Sequence, residues 1–328
     1  MKKLRLVLIL GILAGLCPAV AWSQMPPPPP PQAEPDPLRV EVRVVNVFAT
    51  VRDRQGRLMP NLTKADFEVL EDGQPKDIDY FARENEMSLL LLFLVDTSTS
   101  QKRIIAKEQK IAAEFAQRVL RPGDQVALAA FDSNAYMLQE PTSDPAELGK
   151  AWERIVPFAP GFKPQLKEGK KVNGTRMCAA LAWAADFQPK QLANRKVIVL
   201  ITDGVDAELN TDLRPSLETV LRNDVMVYTI RAMDAGVYAW WDKERVEAGD
   251  RAMRQFAKES GGAFYVGNNA DRMESAFAEI AAEVRSQYGF GFAPRYMTYN
   301  ARFHKITVNV KTSGASVRAR RGYYSPSN

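Results

Sequence analysis

The chain has 328 residues, 46% of them apolar and 25% charged, which is the composition of a folded globular protein of one large or two smaller domains. The formal net charge is +5, but Lys2, Lys3 and Arg5 lie in an N-terminal segment expected to be removed, which takes it to +2. That balance, with no basic stripe interleaved with aromatics, excludes a nucleic-acid binder.

The N-terminus, MKKLRLVLILGILAGLCPAVAWSQ, sets a basic start before an apolar run from Leu6 to Leu16, with small residues at Ala19, Ala21 and Ser23. This is the layout of a secretory signal peptide, assigned to residues 1–23. The run falls short of the ~20 residues a membrane span needs. The mature chain is therefore expected to be exported, periplasmic or secreted, with no transmembrane segment. Cys17 leaves with the signal, so an intramolecular disulfide is excluded and Cys178, on a helical pattern, is expected to be a core thiol. Residues 24–37 are proline-rich and predict a stiff polyproline spacer, since consecutive prolines cannot enter a sheet.

From residue 38 to 85 the pattern is β. Val40, Val42 and Val44 alternate with charged residues; the phase then slips by one, and Val45, Val47, Ala49 and Val51 continue it. A bulge or a change of sheet would produce such a slip. A capped turn at Thr63 to Asp66, a strand from Phe67 to Leu70, a turn at EDGQ and a return strand ending near Phe81 follow.

Residues 86–285 alternate strands with helices. Strands are expected at Leu89 to Val95, Val126 to Phe131, KVIVLIT from Lys196, VMVYTIRA and AFYVG. Ile104, Ile111, Ala112, Phe115 and Val119 fall on one helical face; further helices are expected at 145–155, 176–187, 213–221, 244–260 and 271–285. Continuous apolar strands separated by helices predict a Rossmann-like, doubly wound, mostly parallel sheet covered on both faces. Residues 286–328 return to β, in SQYGFGFAP, HKITVNVK and SVRARRGYY. The two β segments, 38–85 and 286–328, are each near the ~40-residue limit for independent folding. Joined, they make one small β-sandwich with the α/β domain inserted between its halves.

The stretch LLLLFLVDTSTS ends a buried strand on Asp96, followed by Ser98 and Ser100. In an open parallel sheet, sites form beyond the carboxyl ends of the strands. Asp203, in ITDG, follows another strand, and Thr175, in NGT, begins a helix. If these strands are neighbours, three hydroxyls and two carboxylates converge in an oxygen-only pocket suited to a hard divalent cation. The single histidine, His304, lies in an alternating strand pattern and is expected at the surface. With one histidine, Ser-His-Asp or Cys-His catalysis would rest on that residue alone, and a zinc site would lack ligands.

These residues resemble the metal-ion-dependent adhesion site of von Willebrand factor A domains: an Asp-x-Ser-x-Ser motif matching Asp96, Ser98 and Ser100, a later threonine matching Thr175, and a later aspartate matching Asp203. The resemblance spans about residues 88–285. The flanks, LTKADFEVLEDGQPKDIDYF and RSQYGFGFAP with RARRGYYSP, resemble the ends of the acidobacterial-type VWFA-related family of exported bacterial proteins. Asn173-Gly174 stands where that family usually has Gly-Gly. The resemblance implies a non-enzymatic, metal-dependent protein-binding module. It would carry Mg²⁺ (or Mn²⁺ or Ca²⁺) on those five residues and capture a partner protein's Asp or Glu carboxylate. The alternatives are a metal-dependent hydrolase, for which no base can be nominated, and a structural envelope protein with a non-functional site. Trp240 and Trp241 follow a strand on the same rim and are either partner contacts or local core. Lys163, Lys167, Lys170 and Lys171 lie in a polar loop placed to steer an acidic partner.

Overall fold

The computed structural model describes residues 44–83, 87–98, 101, 105–155, 176–187, 195–205, 212–233, 243–294 and 301–326. The expected signal peptide and spacer, Val40, Val42 and Ile104 lie outside them. No helix among the described residues is long and apolar enough to cross a membrane.

Two strands, β5 (Leu89–Asp96) and β8 (Arg195–Thr202), are buried at every position, as unbroken apolar runs must be when both faces of a sheet are covered. Leu89, Leu91, Phe93 and Val95 point to one side, onto helices α1 (Ile105–Val119), α2 (Pro145–Trp152) and α6 (Ala270–Val284). Leu92 and Leu94 point to the other, onto α3 (Met177–Phe187), α4 (Arg214–Arg222) and α5 (Lys243–Ser260). The remaining strands are β6 (Gln125–Phe131), β7 (Ala135–Thr142), β9 (Val225–Arg231) and β10 (Phe264–Val266), and the sheet order is β10-β9-β8-β5-β6-β7. All neighbours are parallel except β7, which pairs antiparallel with β6. Sequence pattern does not reveal β7. It is an edge strand with no fully buried residue, two register irregularities and a proline, so it lacks the apolar run that marks the others. Cys178 is a free, buried thiol on α3, as expected.

The flanking segments form a sandwich of two four-stranded sheets, in the orders β13-β1-β11-β4 and β14-β12-β2-β3. Here β1 is Val45–Arg52, β2 Phe67–Glu71, β3 Gln74–Lys76 and β4 Tyr80–Arg83; β11 is Tyr288–Phe292, β12 Phe303–Val310, β13 Ser316–Ala319 and β14 Gly322–Tyr324. Strands from before and after the α/β domain interleave: β1 lies between β11 and β13, and β2 pairs with β12. Val45, Val47, Ala49 and Val51 share one core with Phe67, Val69, Tyr288, Phe290, Phe292, Ile306 and Val308. The return strand after the turn at Asp72 and Gly73 is split. β3 closes the hairpin with β2, whereas β4 crosses to the other sheet and pairs with β11. The YGFGF pattern of β11 gains its meaning here. Its aromatics face the sandwich core, while a Cβ on Gly289 would lie 2.5 Å from Met87 Sδ on the opposite face.

His304 departs from the surface placement expected of it. Its Nδ1 lies 2.9 Å from Asp72 Oδ2, its ring stacks on Tyr323, and its side chain is only 15% exposed.

The sandwich grips the α/β domain through arginines. Glu283, at the end of α6 and 1% exposed, is bonded by Arg52 of β1 at 2.7 Å and by Arg318 of β13. Arg318 also donates to Gly261 O, past the end of α5, and the backbone N–H of Arg321 donates to Glu259 O. Arg320 pairs with Asp224, and Arg222, at the end of α4, donates to Ser325 O. The RARR run thus lies against helix C-termini, where unpaired carbonyls and the negative end of the helix dipole favour cations. Replacing Glu283 with Leu leaves Arg52 and Arg318 without their shared carboxylate. This is expected to cost about 3 kcal/mol of stability, measured by urea denaturation. A loss below about 1 kcal/mol, the worth of a surface pair, would show that the junction does not depend on this group.

Candidate metal centre

Asp96 ends β5, Thr202 ends β8 and Asp203 follows it; the two strands are parallel neighbours with Val95 opposite Ile201. β5 sits between β6 and β8, where connections leave to either side of the sheet, so its carboxyl end opens into the crevice characteristic of α/β sites. All three residues are almost fully buried, Asp96 at 1% and Asp203 at 2% exposure.

Both oxygens of Asp96 are engaged. The backbone N–H of Ser98 donates to Oδ1 at 2.8 Å, and the Thr202 hydroxyl donates to Oδ2 at 2.6 Å. Thr202 Oγ1 also accepts from Gly204 N at 3.1 Å, and Asp203 Oδ1 accepts from Val205 N at 2.9 Å. Gly204 has φ +79°, a conformation that glycine adopts at little cost. Helix α5 presses against this turn, since a Cβ on Gly249 would lie 2.0 Å from Gly204 O.

The loop after β5 is tied on both sides. Thr97 donates to Phe131 O through its N–H at 2.8 Å and its hydroxyl at 3.1 Å. Gln101, 1% exposed, donates its backbone N–H to Ser98 O and its side-chain amide to Ala232 O at the end of β9. Asp132, just past β6, accepts the backbone N–H of Arg176 at 2.9 Å, which brings the start of α3 to the same rim.

The structure places Asp96, Ser98 and Asp203 at the carboxyl ends of the neighbouring strands β5 and β8. Ser100 and Thr175 lie outside the described residues, as do Trp240, Trp241, Lys163, Lys167, Lys170 and Lys171. Sequence reasoning missed Thr202 and Gln101. Thr202 carried a signal, a hydroxyl closing an otherwise apolar strand beside the aspartate; Gln101 carried none.

The electrostatics bear on what the site can hold. Burial, and then the neighbouring charge of Asp203, push the Asp96 carboxyl up to about 7, against the hydrogen bonds from Thr202 and Ser98. Two buried carboxylates are costly to ionise together unless a cation lies between them. Among the described residues no three His, Cys, Asp or Glu side chains gather, so a cation here would rely on hydroxyl oxygens as well. Carboxylate and hydroxyl donors without sulfur or imidazole fit a hard divalent ion.

Residues 91–205, from within β5 to just beyond Asp203, match the family model of the von Willebrand factor type A domain. Among solved structures, the chain is similar to an aerotolerance-related membrane protein from Bacteroides fragilis, with 19% identity, 60% of this chain and 98% of that one covered, and a TM-score of 0.44. It is similar to a von Willebrand factor type A protein from Catenulispora acidiphila, with 12% identity, coverage of 86% and 75%, and a TM-score of 0.44. It is also similar to the vWF domain of the type V pili tip protein Mfa5 from Porphyromonas gingivalis, with 13% identity, coverage of 60% and 94%, and a TM-score of 0.41. No curated protein matches the chain.

The raised Asp96 carboxyl has a sign that can be tested. A carboxyl that holds its proton more tightly when folded favours the folded state at low pH. That contribution is lost as pH rises from the ordinary value of 3.8 to about 7, because the unfolded chain ionises first. In metal-free buffer, the melting temperature of the wild type is expected to fall relative to Asp96→Asn across this range. Parallel melting curves for the two proteins would show no such burial penalty.

Proposed function

We propose that the protein is an exported, non-catalytic protein-binding module that holds a divalent cation at the carboxyl end of β5 and β8 and uses it to capture a carboxylate of a partner protein. The observation that carries the reading is the burial of Asp96 against Asp203, an arrangement that a cation would relieve. The family of residues 91–205 supports it, as does the order of the five oxygen-bearing residues Asp96, Ser98, Ser100, Thr175 and Asp203. Mg²⁺ is the expected ion, with Mn²⁺ or Ca²⁺ able to replace it.

When bound, the ion supplies a Lewis-acidic position that an incoming carboxylate can fill. The chain's own residues decide how electrophilic that position is. Ser98, Ser100 and Thr175 would offer neutral oxygens. Asp96, with both oxygens already accepting hydrogen bonds, would give up only part of its charge. A cation among such donors is incompletely neutralised and favours an acidic ligand. The lysines at 163, 167, 170 and 171 would steer that ligand, an effect screened over about 8 Å at physiological salt.

Titration calorimetry on the mature chain is expected to show Mg²⁺ or Mn²⁺ binding that Asp96→Ala removes without unfolding the protein. Unchanged affinity in the variant would sink the assignment. Capture of a partner from envelope and culture-medium fractions is expected to require the cation and to stop in excess EDTA, while added salt chiefly slows association. Capture undiminished by EDTA would mean that recognition lies elsewhere on the surface, with Trp240 and Trp241 the first residues to replace.

A further inference from the structure

One hydroxyl stands between the two aspartates and touches the machinery of both. Thr202 is fully buried. Its Oγ1 gives its only proton to Asp96 Oδ2 at 2.6 Å and receives the backbone N–H of Gly204 at 3.1 Å. The first bond, together with Ser98 N on Oδ1, leaves the Asp96 carboxylate no freedom to rotate. The second closes the turn that contains Asp203, at the point where Gly204 takes its positive φ and Gly249 of α5 abuts it. Loops after two different strands are thereby registered to each other through a single oxygen atom.

We propose that Thr202 is a positioning residue for the cation site: its hydroxyl sets the orientation of Asp96 relative to Asp203. This deepens the metal-binding reading above and rests on it. The hydroxyl does not have to touch the ion. Its effect is to hold one carboxylate in a fixed plane while fixing the backbone of the other, so that both are in place before an ion arrives. A side chain of the same shape without the hydroxyl leaves Asp96 Oδ2 and Gly204 N each short of a partner in a buried setting. Such groups find new partners by moving. Outer partners of metal ligands typically change affinity by about 10- to 100-fold when removed.

The test uses the full mature chain and Mn²⁺ as the probe. Thr202→Val removes the hydroxyl at nearly constant volume. Thr202→Ser keeps it. Thr202→Cys donates only weakly and guards against failure of the valine variant to fold. Calorimetry is expected to show about a tenfold or greater loss of Mn²⁺ affinity for Val, a smaller loss for Cys and wild-type affinity for Ser. Melting in metal-free buffer separates this from general damage. A purely structural role would lower the melting temperature of Val without changing the affinity of the folded protein, and that result would overturn the proposal. So would a serine variant as impaired as the valine one. If the wild type itself takes up no Mn²⁺, the metal reading falls, and crystal structures of the metal-free wild type and Thr202→Val then decide the positioning role. An Asp96 carboxylate that keeps its plane in the variant overturns it; one that turns away from Asp203 upholds it.

Discussion

Two carboxylates share one buried place at the carboxyl end of the central strands, and the local structure is organised around keeping them there. Charged groups are normally excluded from such a position. Asp96 stays because Ser98 N and Thr202 solvate it, and Asp203 because its own turn does. The loops that supply these donors are in turn fixed to β6 by Thr97 and to β9 by Gln101. The hydrogen bonds moderate the mutual repulsion without removing it, since the Asp96 carboxyl remains displaced to about 7. Preorganisation of this kind shifts the cost of assembling like charges from the moment of ligand binding to the moment of folding.

The opposite end of the α/β domain is governed by the reverse sign of charge. Helices α4, α5 and α6 finish there; Arg318, Arg320, Arg321 and Arg52 meet carbonyls and acids at their ends, and Arg222 of α4 donates in the other direction, to Ser325 O. A basic run that would suggest an anion-binding surface in an isolated strand is absorbed by structure instead. The junction is therefore specific: its arginines are matched to helix ends and to one buried glutamate, beside Phe48 of β1, which packs on the apolar core of the α/β domain.

Much of this was legible in the sequence, for a physical reason. Strands buried on both faces must be uninterrupted apolar runs, so β5, β8 and β9 announce themselves, and Asp96 and Asp203 stand out because each breaks such a run at its end. The two halves of the sandwich could be joined by size alone, as neither can bury a core by itself. Residues 135–142 were not legible as β7, because an edge strand exposes part of every side chain and loses its periodicity. The split of the return strand into β3 and β4 was hidden for another reason. Which sheet a strand joins is settled by distant partners, here β2 and β11, and not by its own pattern. His304 was misplaced on the same ground: its neighbours Asp72 and Tyr323 come from remote parts of the chain.

The position of β1 has a mechanical consequence. It is held by β11 along Val45 to Ala49 and by β13 along Ala49 to Arg52, antiparallel on both sides. Its alternate residues Phe48 and Arg52 meanwhile face the α/β domain, through that domain's apolar core and through Glu283. The strand is thus both the middle of a ladder and the floor of the junction. Sliding it lengthwise would have to break the ladder and the junction in one event.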